Sequence, residues 1–469
     1  MAPSAWIAFT GSCDAGLHER CHSLLARAGI AVSTSTPEDG ATLGLVIFGA
    51  CDDELLTLLR RHGDHALVLA ICVGAEVLSS TAQWNLVHAG ARDVLQWPEL
   101  PATADEISAR LQHWRRVDAL IDSPAVASCL VGTSPAWRRT MRGVIEATVS
   151  TSASVLITGE SGTGKELIAR LIHDLDPRPD KGEFVVVDCT TLSPELSGSE
   201  FFGHERGAFT GAVGSREGAF ALAHKGTMFL DEVGELPCEL QARLLRAVQE
   251  RQYKRVGSNT WQHSELRLVS ATHRDLVRGI ADGSFRADFY YRIAGWQCRT
   301  LPLRERKDDV LPLALHFMRE LLPASNGRDG PTGPGGPGGP AVEPTIDPAV
   351  REFLVARDYP GNVRDLRQLV TRICQRHCGR GPITVGDIPP EDHAVPGAPP
   401  LWPDNSFRSA IRSAVQLGIG MKDISQRATE LAVEMALECE DGNLQRAAAR
   451  LGVTDRALQI RRASQRALV

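Results

Sequence analysis

No stretch of about 18 consecutive apolar residues occurs in this 469-residue chain, so the sequence offers no membrane-spanning helix. Its opening, MAPSAWIAFTGSCDAG, lacks the basic stretch and apolar core of a leader peptide. The expectation is a soluble, cytoplasmic protein with no membrane partner. A disulfide framework is missing too, because the eleven cysteines are odd in number and irregularly spaced. The closest group, Cys374-Gln375-Arg376-His377-Cys378, has no second ligand pair at zinc-site spacing, so these read as ordinary thiols. Strong charge of one sign is also lacking. A net charge of −6 leaves no global footprint for nucleic acid, and any basic surface must be local.

What is present is apolar material for several cores: 43% hydrophobic residues over a length that suggests two to four domains. Residues 1–118 alternate short apolar runs with helical patterns. AWIAFTG (5–11), GIAVST (29–34), LGLVIFG (43–49), ALVLAICV (66–73) and ARDVLQW (91–97) read as strands. LHERCHSLLARAG and DDELLTLLRRHG between them carry apolar residues at helical spacing. Such alternation implies a doubly wound parallel sheet. This block resembles a response-regulator receiver domain, most clearly in HAGARDVLQWPELPATADEISARLQHW, and departs from it where a receiver does its chemistry. Phe9-Thr10-Gly11 stands where an acidic pair is usual. Phe48-Gly49-Ala50 stands at the phosphoacceptor position, and Gln96-Trp97 replaces the usual lysine. Without clustered carboxylates nothing holds Mg²⁺ or accepts a phosphoryl group. Asp52 and Asp53 read as the acidic start of a helix, so this is a sensory or interaction domain that is not phosphorylated.

A second α/β block begins near residue 130. The strand SVLIT (154–158) runs into GESGTGKE (159–166) and then the helical LIARLIHD. Gly159, Gly162 and Gly164 let the backbone of Gly159, Glu160, Ser161, Gly162, Thr163 and Gly164 curl its N–H groups inward to cradle polyphosphate, and Lys165 reaches the β- and γ-phosphates. Glu166 stands where a Ser or Thr usually touches Mg²⁺. Further on, GTMFLDEVGELP (226–237) delivers adjacent carboxylates at a strand end: Asp231 to hold Mg²⁺ and Glu232 to activate water. LRLVSATHRDL (266–276) ends another strand at Thr272-His273, a place for a γ-phosphate sensor. SFRADFYYRI (284–293) sets Arg286 and Arg292 beside aromatics, the type of residue that stabilises charge on a transferring phosphoryl group. YPGNVRDL (359–366) adds Arg364 at the start of a lid helix.

In this order these segments resemble the AAA+ domain of bacterial enhancer-binding proteins, the NtrC-like activators of sigma-54 RNA polymerase, over residues 130–390. FFGHERGAFTGAVG (201–214) adds the most specific likeness, since Gly207, Ala208, Phe209, Thr210, Gly211 and Ala212 match the family's sigma-54 contact loop. The resemblance implies ATP and Mg²⁺, Glu166 as a usual residue after the lysine, and a ring, usually a hexamer, with a dimer at rest. It implies Arg286 and Arg292 acting on a neighbouring subunit and Arg364 as lid sensor. Two positions depart from it: Asp188 replaces an Asn that couples the catalytic glutamate to the loop, and His273 replaces the frequent Asn of the sensor strand. Retained ATPase activity with altered coupling is expected.

The glycine- and proline-rich stretch 326–344 reads as a linker ahead of a helical lid at about 345–390, and 391–424 as a second linker. Residues 425–469 close the chain. From 443 to 469 there are six arginines and one acid, Asp455. NLQRAAARLG, a Gly452-Val453 turn and DRALQIRRAS resemble the Fis-type helix-turn-helix of the same activators. Thr454, Arg456, Gln459 and Arg461 are the candidate contacts to enhancer DNA. The expected class is therefore multidomain α/β: a receiver-like parallel sheet, an AAA+ P-loop domain with a helical lid, and an all-α helix-turn-helix. Three functions fit: a sigma-54 activator, an AAA+ unfoldase without DNA, and a nucleotide- or cyclic-di-GMP-responsive regulator working with another sigma factor. The loop and the terminal helices favour the first.

Overall fold

The computed structural model describes residues 4–10, 15–33, 43–63, 65–73, 77–97, 100–127, 130–193, 196–322, 344–378, 381–393, 405–440 and 443–453. They divide into two compact units, 1–389 and 390–469. In the first unit, strands β1 (Ser4–Thr10), β2 (Ala31–Ser33), β3 (Leu43–Phe48), β4 (Leu67–Cys72) and β5 (Ala91–Gln96) form a parallel sheet of order β2-β1-β3-β4-β5. The two central strands, LGLVIF and LVLAIC, are buried at every residue, because helices cover both faces and leave no side for polar groups. Alternation splits their side chains between two cores. Leu45, Ile47, Leu69 and Ile71 face Leu25, Ile107 and Leu111, whereas Val46, Phe48, Val68 and Ala70 face Leu55, Leu59 and Leu86. Asp52 begins the Asp53–His62 helix, its carboxylate accepting the N–H of Leu55 at 2.8 Å, as expected of a helix start.

A second parallel sheet follows, of order β12-β6-β11-β8-β7, from β6 (Val155–Thr158), β7 (Phe184–Asp188), β8 (Thr227–Asp231), β11 (Arg267–Thr272) and β12 (Trp296–Arg299). Strands β9 (Gln252–Lys254) and β10 (Trp261–His263) pair as a separate antiparallel hairpin. The helix Leu100–Ile121 belongs to both sheets. Its Ile107, Leu111 and Trp114 complete the first core, and its Val117 and Ile121 enter the second beside Trp137, Val144 and Ile145. The boundary expected at residue 118 thus falls inside a helix, because its apolar spacing continues unbroken from one core to the next. Asp118 receives Arg142 of the helix Pro135–Ser150 at 2.6 Å, with both side chains nearly buried, and Arg92 of β5 reaches Glu146 at 2.7 Å.

Three helices, Val310–Leu321, Pro348–Ala356 and Asn362–Arg376, share a core of Leu313, Phe317, Val350, Leu354, Leu366 and Leu369. The helical bundle therefore begins before residue 345, across the stretch 326–343, which lies outside the described residues. In the second unit, the helix Asn405–Gln416 occupies part of the stretch expected as a 391–424 linker, which corrects that expectation. Its Phe407, Ile411 and Val415 recur every four residues and give it an apolar stripe that the proline-rich flank disguised. The Met421–Cys439 and Leu444–Arg450 helices pack through Val433, Ala436 and Ala447. Thr454, Arg456, Gln459 and Arg461 lie outside the described residues. No described helix is long and apolar enough to cross a membrane.

Candidate active site

The phosphate loop leaves β6 and enters the Lys165–Asp174 helix with Gly162 at φ 77° and Gly164 at φ 97°, left-handed conformations that favour glycine. A Cβ on Gly162 would collide with the carbonyl of Gly361, and that close approach is used: Val363 donates its N–H to the Gly162 carbonyl at 3.0 Å. Lys165 is buried beneath the loop. Its Nζ donates to the carbonyls of Gly159 and Glu160 at 3.0 and 3.3 Å and stands 3.4 Å from Glu232 Oε1. Glu166 instead faces outward and pairs with Arg170 at 2.8 Å.

Both carboxylates lie at the end of β8, and their environments push them apart. Burial and the charge of Glu232 raise the Asp231 carboxyl above its ordinary value. Burial would raise Glu232 as well, but hydrogen bonds from His273 and the charge of Lys165 hold it below. His273 donates its backbone N–H to Glu232 Oε2 at 3.0 Å, and its Nδ1 lies 2.7 Å from the same oxygen. Glu232 itself has φ 52° and ψ 50°, an uncommon conformation for a residue with a side chain, stored where the chemistry is expected. Adjacent half-buried carboxylates suit a hard divalent cation taken by oxygen ligands, so the donor set fits Mg²⁺.

The two departures part company here. His273 is joined to Glu232, whereas Asp188 at the end of β7 turns to Thr190, accepting its N–H at 2.9 Å and its hydroxyl at 2.7 Å. Among the described residues Asp188 and Glu232 share no hydrogen bond. Thr272 points inward, fully buried, and accepts the N–H of Arg274 at 3.1 Å. Of the two sensor candidates only His273 faces the carboxylates.

Arg364 reaches the phosphate loop, donating to Ser161 Oγ at 3.1 Å. Arg286 pairs with Asp288 at 2.7 Å, and Arg292 donates to the Val248 carbonyl at 3.0 Å. Neither arginine bonds the phosphate loop, Asp231 or Glu232 of its own chain. The 207–212 segment forms a compact turn. Gly207 N–H donates to the Ala212 carbonyl at 2.9 Å, and Ala212 is buried. Phe209 lies edge-on to His204 with ring centroids 5.0 Å apart, while Thr210 is exposed.

Sequence reasoning missed two features. A cavity of about 250 Å³ beside Thr163 and Gly164 is walled by Val131, Trp137, Arg306 and Val363, with Arg306 stacked 4.2 Å above the Trp137 ring. Its lining mixes the apolar Leu167, Leu313 and Phe317 with His316, Glu320 and Arg367. Asn362, fully buried at φ 54°, bonds Glu160, the Ser161 carbonyl and the N–H of Leu303, tying the lid to the loop. Four distant segments meet in these features, and no local pattern marks them.

The family described as Sigma-54 interaction domain matches residues 130–299. The chain is 39% identical over 307 residues to the regulatory protein AtoC of Escherichia coli, covering 65% of this chain and 61% of that protein. It is 44% identical over 312 residues to a Nif-specific regulatory protein of Herbaspirillum seropedicae, covering 66% of this chain and 52% of that one. The response regulator protein PilR of Pseudomonas aeruginosa matches over 426 residues at 35% identity, 90% of this chain and 85% of PilR.

Proposed function

The chain belongs to the NtrC-like sigma-54-dependent transcriptional activators, whose central domain is an AAA+ P-loop ATPase, and from this premise we propose that it hydrolyses ATP to open promoter complexes of the sigma-54 RNA polymerase holoenzyme. The reading places it in the cytoplasm as an oligomeric ring, bound to enhancer DNA through Thr454, Arg456, Gln459 and Arg461. The observation that carries it is the convergence of Lys165, Asp231, Glu232 and His273 beside the phosphate loop, in the same domain as an exposed Thr210.

The loop amides of Gly159 to Gly164 and Lys165 bind the polyphosphate, and the Val131–Trp137–Val363 slot takes the base. Mg²⁺, held by Asp231, would neutralise charge on the phosphates. Glu232, kept ionised by His273 and Lys165, accepts a proton from water as it attacks the γ-phosphorus. The bond to the leaving oxygen of ADP breaks, and inorganic phosphate departs. Arg286 and Arg292, engaged by Asp288 and the Val248 carbonyl and not by their own site, serve the neighbour's. Arg364, on Ser161, reports the nucleotide to the lid. Phe209 and Thr210 rise from their place at His204 to grip the sigma factor when those contacts change.

The test is open-complex formation with purified sigma-54 polymerase, read beside ATP turnover. Thr210→Ala should keep turnover and lose open complexes. Open complexes formed equally well by the variant, or only with another sigma factor, would reject the reading.

A further inference from the structure

Gln241 lies on the first turn of the Cys238–Glu250 helix and is fully buried. A buried amide must find partners for its donors and its acceptor inside the protein. Nε2 donates to the Leu236 carbonyl at 2.7 Å and to the Ser284 carbonyl at 3.3 Å, and Oε1 accepts the backbone N–H of Arg286 at 2.8 Å. These partners belong to two functional segments. Leu236 closes the short turn Val233–Glu235 directly behind Asp231 and Glu232. Arg286 is the residue from which the Ala287–Ile293 helix starts, with no side-chain cap of its own. One side chain thus joins the turn behind the carboxylates to the backbone that carries Arg286.

The guanidinium of Arg286 is about half exposed and paired with Asp288, so it is free to exchange that partner for another. Its Cα is not free. Phe285 and Phe289 are buried on either side of it, the Cys238 thiol lies 3.2 Å from the Ser284 carbonyl, and Gln241 holds the N–H between them. We propose that Gln241 is a positioning residue that sets the reach of Arg286 toward the next subunit's nucleotide site and ties it to the turn behind Asp231 and Glu232 of its own subunit. The inference rests on the reading of Arg286 as acting in trans. Occupancy of one site is then felt at the next, because a shift of the turn at Leu236 pulls on the amide that fixes Arg286.

The test uses the full chain and its assembly. Gln241→Met, equal in length but without polar atoms, should lower kcat by about 10²-fold, the loss that an ångström of misplacement costs, with affinity for a fluorescent ATP analogue unchanged. Gln241→Glu keeps an acceptor for the Arg286 N–H and should lose less. A purely structural role predicts the reverse order, since burying a charge without a partner is worse than burying a thioether. Co-expressing Gln241→Met with Glu232→Gln chains should restore turnover. Sites with an intact Glu232 then receive an arginine from neighbours with an intact Gln241, at about a quarter of the interfaces in a head-to-tail ring. The reference mixture is Arg286→Ala with Glu232→Gln. If it regains turnover and the Gln241→Met mixture does not, Gln241 has no positioning role while Arg286 still acts in trans. If Gln241→Met alone turns over at the wild-type rate, or loses nucleotide affinity along with kcat, the inference also falls. If the reference mixture stays inactive, the trans reading fails and takes the Gln241 inference with it.

Discussion

Two parallel five-stranded sheets stand in one unit of this protein, both wound with helices on either face, and the residues at their carboxyl ends could hardly differ more. The first ends its strands β1, β3, β4 and β5 on Thr10, Phe48, Cys72 and Gln96; the second ends β6, β7, β8 and β11 on Thr158, Asp188, Asp231 and Thr272. Open α/β sheets bind ligands at these ends because helix N-termini and loops converge there. A fold therefore offers the place, and the side chains decide whether chemistry happens in it. In the second sheet the same kind of edge carries Lys165, Glu232 and His273 within hydrogen-bonding or ion-pairing distance. In the first, Asp52, just past the end of β3, accepts a backbone N–H of its own helix.

The largest effect that would sharpen this contrast is on the base. Glu232→Gln keeps the shape of the site and removes the proton acceptor, so ATP turnover should fall by about 10²- to 10⁴-fold while nucleotide still binds. Turnover surviving at more than a tenth would mean that water is activated elsewhere, and the second sheet's edge would lose its distinction. Next comes His273→Ala, which removes the imidazole contact to Glu232 but keeps the backbone one, and should lower kcat about tenfold, within the loss that misplacement produces. Asp188→Asn should do less, because both of its bonds are to Thr190. Equal losses from the two, measured at saturating ATP, would show that position 188 couples to Glu232 after all.

The seam between the sheets offers a thermodynamic version of the comparison. Asp118 and Arg142 are about nine-tenths shielded, whereas Arg138 and Asp122, which lies one residue past the helix Leu100–Ile121, are far more open. Removing one partner of a buried pair strands the other, so Arg142→Ala should cost about 3 kcal/mol in denaturant unfolding. Arg138→Ala should cost under about 1 kcal/mol. Similar costs for both would mean that the helix Leu100–Ile121 is held to the second sheet by Val117 and Ile121 alone.

All five strands of the first sheet and β6, β8 and β11 of the second were legible because their apolar runs have no competing period, whereas β7 and β12 were not read as strands. LGLVIF and LVLAIC fit a sheet covered on two faces, and the loop from Thr158 to Lys165 is punctuated by glycines. The run from Leu100 to Ile121 was harder. Helical spacing shows which residues are apolar, but not that Trp114 faces one core and Val117 the next. The pairing of His273 with Glu232, the slot between Val131, Trp137 and Val363, and Phe209 resting on His204 were illegible for a related reason. Each joins side chains from segments whose separation in sequence carries no signal of contact. The turn of Asp188 toward Thr190 was illegible too, because position alone does not tell whether a carboxylate takes a distant partner or a hydroxyl two residues away.

The smallest effect tests the silent edge itself. Asp52 accepts the N–H of Leu55, one of the orphan donors of the Asp53–His62 helix, and a capping carboxylate contributes about 1 kcal/mol. Asp52→Ala should therefore lower the unfolding free energy of the first sheet by about that amount and leave ATP turnover where it was. A working phosphoacceptor would behave differently: incubation with acetyl phosphate would add a phosphoryl group to the wild type and none to Asp52→Ala. The expected mass spectrum shows no such adduct on either protein, because the strand ends Thr10, Phe48 and Gln96 provide no acid to hold a cation beside Asp52, whose Oδ1 is held by its own helix. A labelled wild type would overturn the contrast between the sheets at its root, since the first would then carry chemistry of its own.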